Sequence, residues 1–414
     1  MSHGLPRPAV LTIAALTGVN LFNYIDRFVI ASLFTSLGQP EAAGGLGLTK
    51  DQQGFLYSAF IIVYCVASPV FGVLGDRGRR MWLLSGAVAL WSVATAGGGW
   101  ATGFLSLFLA RAVTGIGEAA YASIAPAVIS DLVPPEGRSR ALSVYNAAIP
   151  VGAAMGFALG GLVAASHGWR AAFLVAGAPG LALALLVAFL RDPPRGQMDT
   201  GTHAKVPWST AVRTLIHGAF LWPVAGYVLQ TAGYGALGVW APSYLEQSKG
   251  IPGERASITV GAIVAGTGLV GTLAGGWIGD RWRRRDDRGL MFTCALSSVL
   301  ATPFLVLLIL AKAEWAVWST VAIASFLLAI SIGPVNSQIV NVLPAATRAT
   351  GVAASTTLIH LLGDVPSIPL IGWIETRLGG ESGFDWAMGT VPAVIFASAA
   401  LWWWAGVRVR PTSQ

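Results

Sequence analysis

The sequence predicts an all-α membrane protein with twelve transmembrane helices in two six-helix bundles. Three observations carry this expectation. First, ten helix-length apolar stretches, and two more broken by single charged pairs, fill the 414 residues. A spanning helix takes roughly 20 apolar residues, so twelve with their loops use about 400. Second, charged residues make up 11% of the chain and hydrophobic residues 54%. A soluble domain carries roughly 25% charge, and no water-soluble core needs that much apolar surface. Third, one short charged loop occurs twice, as Gly72-Val-Leu-Gly75-Asp76-Arg77-Gly78-Arg79-Arg80 and as Gly276-Trp-Ile-Gly279-Asp280-Arg281-Trp-Arg283-Arg284-Arg285, with its aspartates 204 residues apart. Tandem repeats in the same orientation imply a pseudo-two-fold axis along the membrane normal, with a cavity between the halves.

In chain order the spans fall at 10–37, 52–74, 81–100, 104–132, 140–166, 170–190, 213–245, 256–278, 289–311, 315–342, 349–373 and 386–407. Turn signals such as Gly97-Gly98-Gly99 and Pro134-Pro135 separate them. Only Arg7 precedes the first run, and no small-residue cleavage site follows a short apolar region, so that run is expected to be a retained span. The polar, Pro- and Gly-containing stretch that begins Arg191-Asp-Pro-Pro-Arg-Gly marks a linker at 191–211, between bundles of 1–190 and 212–414. Cys65 and Cys294 lie in apolar runs of different halves and read as packed core thiols rather than a disulfide. Tryptophans near run ends (Trp82, Trp100, Trp169, Trp208, Trp315, Trp386) suit the aromatic belts of a membrane boundary.

A net charge of +7 does not indicate nucleic acid here, because the arginines sit in short loops between spans. With the N-terminus inside, cytoplasmic segments hold 18 Lys/Arg against six outside (Lys50, Arg170, Lys249, Arg255, Lys312, Arg377). Positive-inside orientation therefore places both termini in the cytoplasm, on a monomer spanning the cell's inner (plasma) membrane. The halves match again where Pro134-Pro-Glu-Gly-Arg138 follows span four and Pro344-Ala-Ala-Thr-Arg348 follows span ten, an offset of 210. No Gly-x-x-x-x-Gly-Lys-Ser/Thr loop is present, which disfavours ATP-driven pumping, and Gly115-Ile-Gly117 follows no strand, so it is no dinucleotide signature. No His/Cys spacing suggests a metal, and no cofactor or enzyme chemistry is expected.

The charges inside spans are the informative ones. Each costs about 2.5–3.5 kcal/mol on insertion scales and faces a cavity or a partner. Span one carries Asn20-Leu-Phe-Asn23-Tyr24-Ile-Asp26-Arg27-Phe28. Span four carries Arg111-Ala-Val-Thr-Gly115-Ile-Gly117-Glu118-Ala-Ala-Tyr121-Ala-Ser-Ile-Ala-Pro126, with Asp131 at its end. Glu118 lies near mid-span. Arg111, seven residues earlier, shares its face with Gly115. Asp26 and Arg27 diverge by about 100° and each is expected to seek a partner on span four. Two acids and two arginines nearly neutralise one another. The cluster reads either as a structural lock between spans one and four or as a proton site beside an anion-binding arginine. Desolvation favours a neutral carboxyl, and an adjacent guanidinium favours an ionised one. Arg111 has the planar fork for a phosphate or carboxylate, or for Glu118 itself. His360 and Asp364, four apart in span eleven, share a face; the histidine reads equally as packed or as transport-related. Asn336, Gln338 and Asn341 read as interhelical glue, and Tyr57, Tyr121, Tyr145, Tyr227, Tyr234 and Trp240 as packing or cavity lining.

The Gly-x-x-x-Asp-Arg-x-Arg-Arg loop resembles the signature of the major facilitator superfamily, and it occurs at corresponding places in both halves. The second copy departs from it with Trp282 where the first has Gly78, which suggests unequal gating strength. Gly-x-Gly-Glu-Ala, Ile-Ala-Pro and His360-Leu-Leu-Gly363-Asp364 together resemble the Spinster family of that superfamily. The Asn-Tyr-x-Asp-Arg element is also shared with anion–cation symporters. The resemblance implies the superfamily's fold and a secondary active transporter with alternating access. It further implies proton coupling and an amphipathic lipid-like anion such as a lysophospholipid or sphingoid phosphate; the alternative is a small organic-anion/proton symporter. Expected partners are therefore the substrate, protons and membrane lipids. Expected roles are proton coupling at Asp26 and Glu118, and substrate contact at Arg111, Arg27, Tyr24, Tyr121 and His360, with Arg27 also the internal counter-ion. Gating is expected at Gly72, Asp76, Arg77, Arg80, Asp131, Arg138, Asp280, Arg281 and Arg348.

Overall fold

A computed structural model describes residues 6–198, 216–343, 348–379 and 382–408. Helices dominate: α1 Arg7–Gly38, α2 Lys50–Arg77, α3 Arg80–Gly98, α4 Phe104–Leu132, α5 Pro135–Ala188, α6 Gly218–Lys249, α7 Gly253–Arg283, α8 Gly289–Leu310, α9 Glu314–Ile330, α10 Ile332–Val342, α11 Arg348–Ile359, α12 Val365–Leu378, α13 Gly383–Met388 and α14 Thr390–Arg408. Among the described residues, ten helical stretches are long and apolar enough to cross a membrane. One of these contains the bend in α5 at Gly168, whose φ of 81° lies in the left-handed region where glycine is unstrained. Its two arms match the expected spans at 140–166 and 170–190. Counting both arms, and the 32 residues of α6, gives twelve membrane-length segments among the described residues.

Local chemistry sets the helix starts. Thr49 N donates to Gln52 Oε1 at 3.1 Å, satisfying the entry to α2. His217 Nδ1 accepts from Ala219 N at 3.2 Å to cap α6. Prolines inside α2, α4, α5 and α6 are tolerated because neighbouring helices re-satisfy the freed backbone groups. Val66, Val70, Val73 and Leu74 of α2 stay exposed, as do Leu269, Leu273 and Trp277 of α7. Apolar rows of this kind are surface that a soluble protein would bury.

The chain divides into two compact units, Met1–Gly201 with Pro252–Gly261, and Thr202–Ile251 with Ala262–Gln414. In the first, α1 packs along α5, α4 lies against α2 and α3, and α3 also packs on α5. Its core gathers Leu16, Leu84, Trp91, Tyr121, Val128 and Val187. In the second, α14 packs against α6 and α8, with a core around Phe220, Met291, Cys294 and Trp402. Cys65 and Cys294 are buried free thiols.

Glycines set close helix contacts in the second unit, and Gly275 is one of them. A Cβ on Gly275 would collide with the Ile330 carbonyl oxygen, whereas one on the adjacent Gly276 meets nothing within 4 Å. Gly275→Ala is expected to destabilise the unit by about 1–3 kcal/mol through overpacking, and Gly276→Ala to be neutral. Thermal denaturation of the two purified variants checks this; equal melting points would show that α7 has room to shift.

Candidate functional site

The first unit assembles the four span charges at one place. Arg27 Nη2 meets Glu118 Oε2 at 3.0 Å, and Glu118 is fully buried. The guanidinium of Arg27 also sits over three rings, 4.9 Å from the centroids of Tyr24 and Phe60 and 5.2 Å from Tyr64. Charge pairing and cation–π attraction thus hold the same group. Arg111, equally buried, stands 5.0 Å from the Phe60 ring and donates from Nη1 to the main-chain oxygen of Asp26 at 3.3 Å. The Asp26 carboxylate instead accepts from the Thr95 hydroxyl of α3 at 3.3 Å. Arg27 therefore finds the partner on α4 that the sequence implies. Asp26 is met from α4 only at its backbone, and its carboxylate turns to α3.

Two glycines explain why Glu118 sits so deep. A Cβ on Gly115 would stand 2.6 Å from Phe60 O of α2, and one on Gly117 2.6 Å from Ala87 O and 2.9 Å from Trp91 Cβ of α3. The Gly-x-Gly-Glu stretch lets α2 and α3 close on α4 from two sides, sealing the carboxylate between them. Several buried polar atoms of the cluster meet no hydrogen-bond partner among the described residues: Asp26 Oδ1, Glu118 Oε1, Arg27 Nε, and Arg111 Nε and Nη2. They are spare acceptors and donors at the centre of a nearly charge-balanced site.

Tyr24 lies at this site, half-buried against Arg27. Tyr121 does not. Its ring packs edge-on to Trp91 at 5.5 Å in the core, and its hydroxyl donates to Leu16 O. That is a packing position rather than a substrate-facing one, which corrects the expectation for this residue. Tyr57 and Tyr145 are likewise buried.

The first copy of the charged loop forms a second constellation. Arg80 Nη1 pairs with Asp131 Oδ2 at 2.5 Å and Arg80 Nε with Asp192 Oδ1 at 3.0 Å. Asp192 Oδ2 accepts from Arg80 N at 2.8 Å, and Pro193 O from Arg80 Nη2 at 2.5 Å. Asp131 also takes Gly196 N at 3.0 Å on Oδ1 and Gln197 Nε2 at 2.6 Å on its main-chain oxygen. Arg195 donates to Gly75 O at 3.0 Å and to Gly78 O. Residues 192–197, which the sequence presents as the start of a linker, are thus fastened over the α2–α3 loop. The Arg191-Asp192-Pro-Pro-Arg195-Gly196 string directly after span six was the available signal for this clasp. Arg80→Gln is expected to lower stability by about 3 kcal/mol, since it strands two partly buried carboxylates. Arg80→Lys should fall between, lacking the planar fork. Denaturation midpoints of the two variants test this, and a wild-type midpoint for the glutamine variant would show the clasp to be incidental.

Asp76 is exposed beside this clasp, in a cavity of about 230 Å³ lined also by Gly72, Gly75 and Arg195, and it pairs with no group among the described residues. Arg77 is exposed and Arg138 half-buried. In the second loop copy Asp280 is exposed and unpaired among the described residues, while Arg281 lies 5.9 Å from the Trp277 ring. Trp282 stacks on Phe292 at 5.9 Å, which stacks on Trp403 at 4.7 Å. The residue that departs from the first copy is a hydrophobic anchor. The Arg348 side chain lies outside the described residues.

Residues 16–365 match the family model described as the Major Facilitator Superfamily. Human protein spinster homolog 1 is 34% identical over 401 residues, covering 90% of this chain and 74% of that one. The chain belongs to the Spinster family of the Major Facilitator Superfamily. Drosophila melanogaster protein spinster is 30% identical over 380 residues, covering 89% of this chain and 62% of its own. Among solved structures, a bacterial homologue of the human lysosomal transporter Spinster, captured inward-facing and unoccupied, superposes with a TM-score of 0.87. It shares 21% identity and is covered over 98% of each chain. A D-xylose–proton symporter gives a TM-score of 0.72 at 21% identity, over 95% of this chain and 97% of that one. This Spinster chain is therefore a multi-pass membrane transporter with the superfamily's fold, not an enzyme.

The second unit of this Spinster protein holds its own buried acid. His360 Nδ1 and Asp364 Oδ2 are 2.7 Å apart on a π-helical turn, His360–Asp364, between α11 and α12. Gly235 of α6 makes room for the carboxylate, because a Cβ there would meet Asp364 Oδ1. Turns of this kind concentrate at functional sites. Gln230, which sequence reasoning passed over, ties α6 to the α9–α10 junction, donating to Leu328 O at 2.7 Å and to the Ser331 hydroxyl. No group of His, Cys, Asp and Glu fit to hold a metal occurs among the described residues.

Proposed function

We propose that this protein is a proton-coupled secondary transporter that works by alternating access on an amphipathic lipid-like anion of the lysophospholipid or sphingoid phosphate class. Glu118 and Asp26 carry the proton. Arg111 and Arg27 receive the anionic headgroup, and Tyr24 and His360 face the substrate. The observation that carries this reading is the buried Arg27–Glu118 pair at 3.0 Å beside an arginine with spare N–H groups. Protonating Glu118 releases the Arg27 guanidinium, and Arg111 adds a second fork for a phosphate or carboxylate. Proton and anion then share one network, which couples them without a further device. The bacterial homologue's inward-facing unoccupied and occupied structures support alternating access by likeness. Gating belongs to Gly72, Asp76, Arg77, Arg80, Asp131 and Arg138 in the first unit, with Asp280, Arg281 and Arg348 in the second. The asymmetry of loop charge supports cytoplasmic termini in an inner membrane.

A thermal-shift screen of the purified protein tests the substrate class. Lysophospholipids or sphingoid phosphates should raise the melting point in wild type and not in Arg111→Gln. A shift from small organic anions alone would move the assignment to an organic-anion symporter. A shift that persists in Arg111→Gln would remove the headgroup role.

A further inference from the structure

The end of the second unit where α6 begins and α10 and α14 finish carries a cavity separate from the charge cluster. A cavity of about 560 Å³ opens there, lined by His217, Trp222, Gln338, Val342, Ala405 and Arg408 among others. That volume is within the roughly 300–1,000 Å³ typical of small-molecule pockets. No carboxylate is among its described lining residues. Arg408 lies 4.3 Å from the Trp404 ring centroid and 5.9 Å from that of Trp222. It pairs with no acid among the described residues, so aromatic faces hold the guanidinium while its N–H fork stays available. Gln338 is a buried residue overall, and it lines the same cavity with its side-chain amide still accessible, so the amide can donate there.

We infer that this cavity binds the phosphate of an anionic membrane phospholipid, with Arg408 and Gln338 as its ligands. The phosphoryl group follows from the unopposed guanidinium, the Gln338 amide donor and the adjoining His217. A lipid rather than free phosphate follows from Leu221, Trp404 and Val407, each next in sequence to a lining residue and exposed at 41%, 45% and 49%. They offer apolar surface near the cationic group for an acyl chain. Basic pockets between helix ends with aromatic flanks suit a lipid headgroup in this way. The α6 entry adds one N–H at most, since His217 already caps Ala219 N.

The test uses the full-length protein in detergent, titrated with dioctanoyl phosphatidylglycerol and read by native mass spectrometry. Wild type should retain one lipid and bind it at least tenfold more tightly than dioctanoyl phosphatidylcholine. Arg408→Gln should weaken binding about tenfold and Gln338→Leu severalfold, while Arg408→Lys keeps part of it and Arg377→Gln, at the unit's other end, keeps all of it. Arg408 is exposed and Gln338→Leu is close to isosteric, so folding is checked by monodispersity and melting point. If either variant is misfolded, Arg408→Lys against Arg377→Gln carries the comparison. Three results overturn the inference: equal affinity for phosphatidylcholine, unchanged affinity in folded Arg408→Gln, or glycerol 3-phosphate competing as well as the lipid. Loss of binding in Arg111→Gln but not in Arg408→Gln would also overturn it, placing the lipid at the charge cluster and leaving the proposed transport reading intact.

Discussion

Glu118→Gln is expected to abolish the response of uptake to an imposed pH gradient while leaving the helices packed. The substitution keeps the side chain's shape and its capacity to accept a hydrogen bond from Arg27, 3.0 Å away, but it removes the ionisable proton. Gly115 and Gly117 still let α2 and α3 close on α4, so the site keeps its form. In proteoliposomes loaded at one pH and diluted into another, wild type should accumulate substrate in proportion to the gradient. The variant should show only downhill exchange, independent of pH. Should the variant retain the wild-type pH dependence, Asp26 must carry the proton alone or the protein is a uniporter, and the cluster is then mainly structural.

Arg27→Gln is expected to be the most destabilising single change at the cluster, by about 3–5 kcal/mol, because it leaves a fully buried carboxylate without its counter-charge. The double variant Arg27→Gln/Glu118→Gln should recover much of that loss, since both ends are then neutral amides of similar size. The lost stacking on Tyr24, Phe60 and Tyr64 is common to both variants and cancels in the comparison. Denaturation midpoints of wild type, the two single variants and the double variant give the coupling directly. Strict additivity would show that the 3.0 Å pair contributes no interaction of its own.

The spans, the break between 166 and 170 included, and the shared face of His360 and Asp364 were legible because each is local: run length and a spacing of four. That Asp26, Arg27, Arg111 and Glu118 gather at one place was legible for a different reason, since a chain with 11% charge rarely places four on two helices. Which of them pair was not legible. Arg27 meets Glu118, Arg111 reaches only the Asp26 backbone, and Thr95 of α3 takes the Asp26 carboxylate. Those choices depend on how far each helix is rotated and how deep it sits. Helices that are apolar nearly all round carry little periodic signal to fix that. Tyr121 illustrates the same limit, because a tyrosine in a span reads alike whether it faces a cavity or, as here, a core carbonyl. Residues 192–197 were passed over because Pro, Gly and charge read as a connector wherever they occur. Only the tertiary position of Arg80 and Asp131 turns them into a clasp.

The three rings around Arg27 carry one more consequence. A cation held by its counter-ion alone would swing away once that counter-ion took up a proton. Arg27 is also held by Tyr24, Phe60 and Tyr64. On the proposed reading these rings keep the guanidinium in place while the site exchanges one negative partner for another. Whatever factor protonation adds to the affinity for an anion, the anion must add to the affinity for the proton. Titrating substrate binding at several pH values and proton uptake at several substrate concentrations should then return the same coupling constant, and the aromatic box is the reason that two-way exchange has a fixed stage.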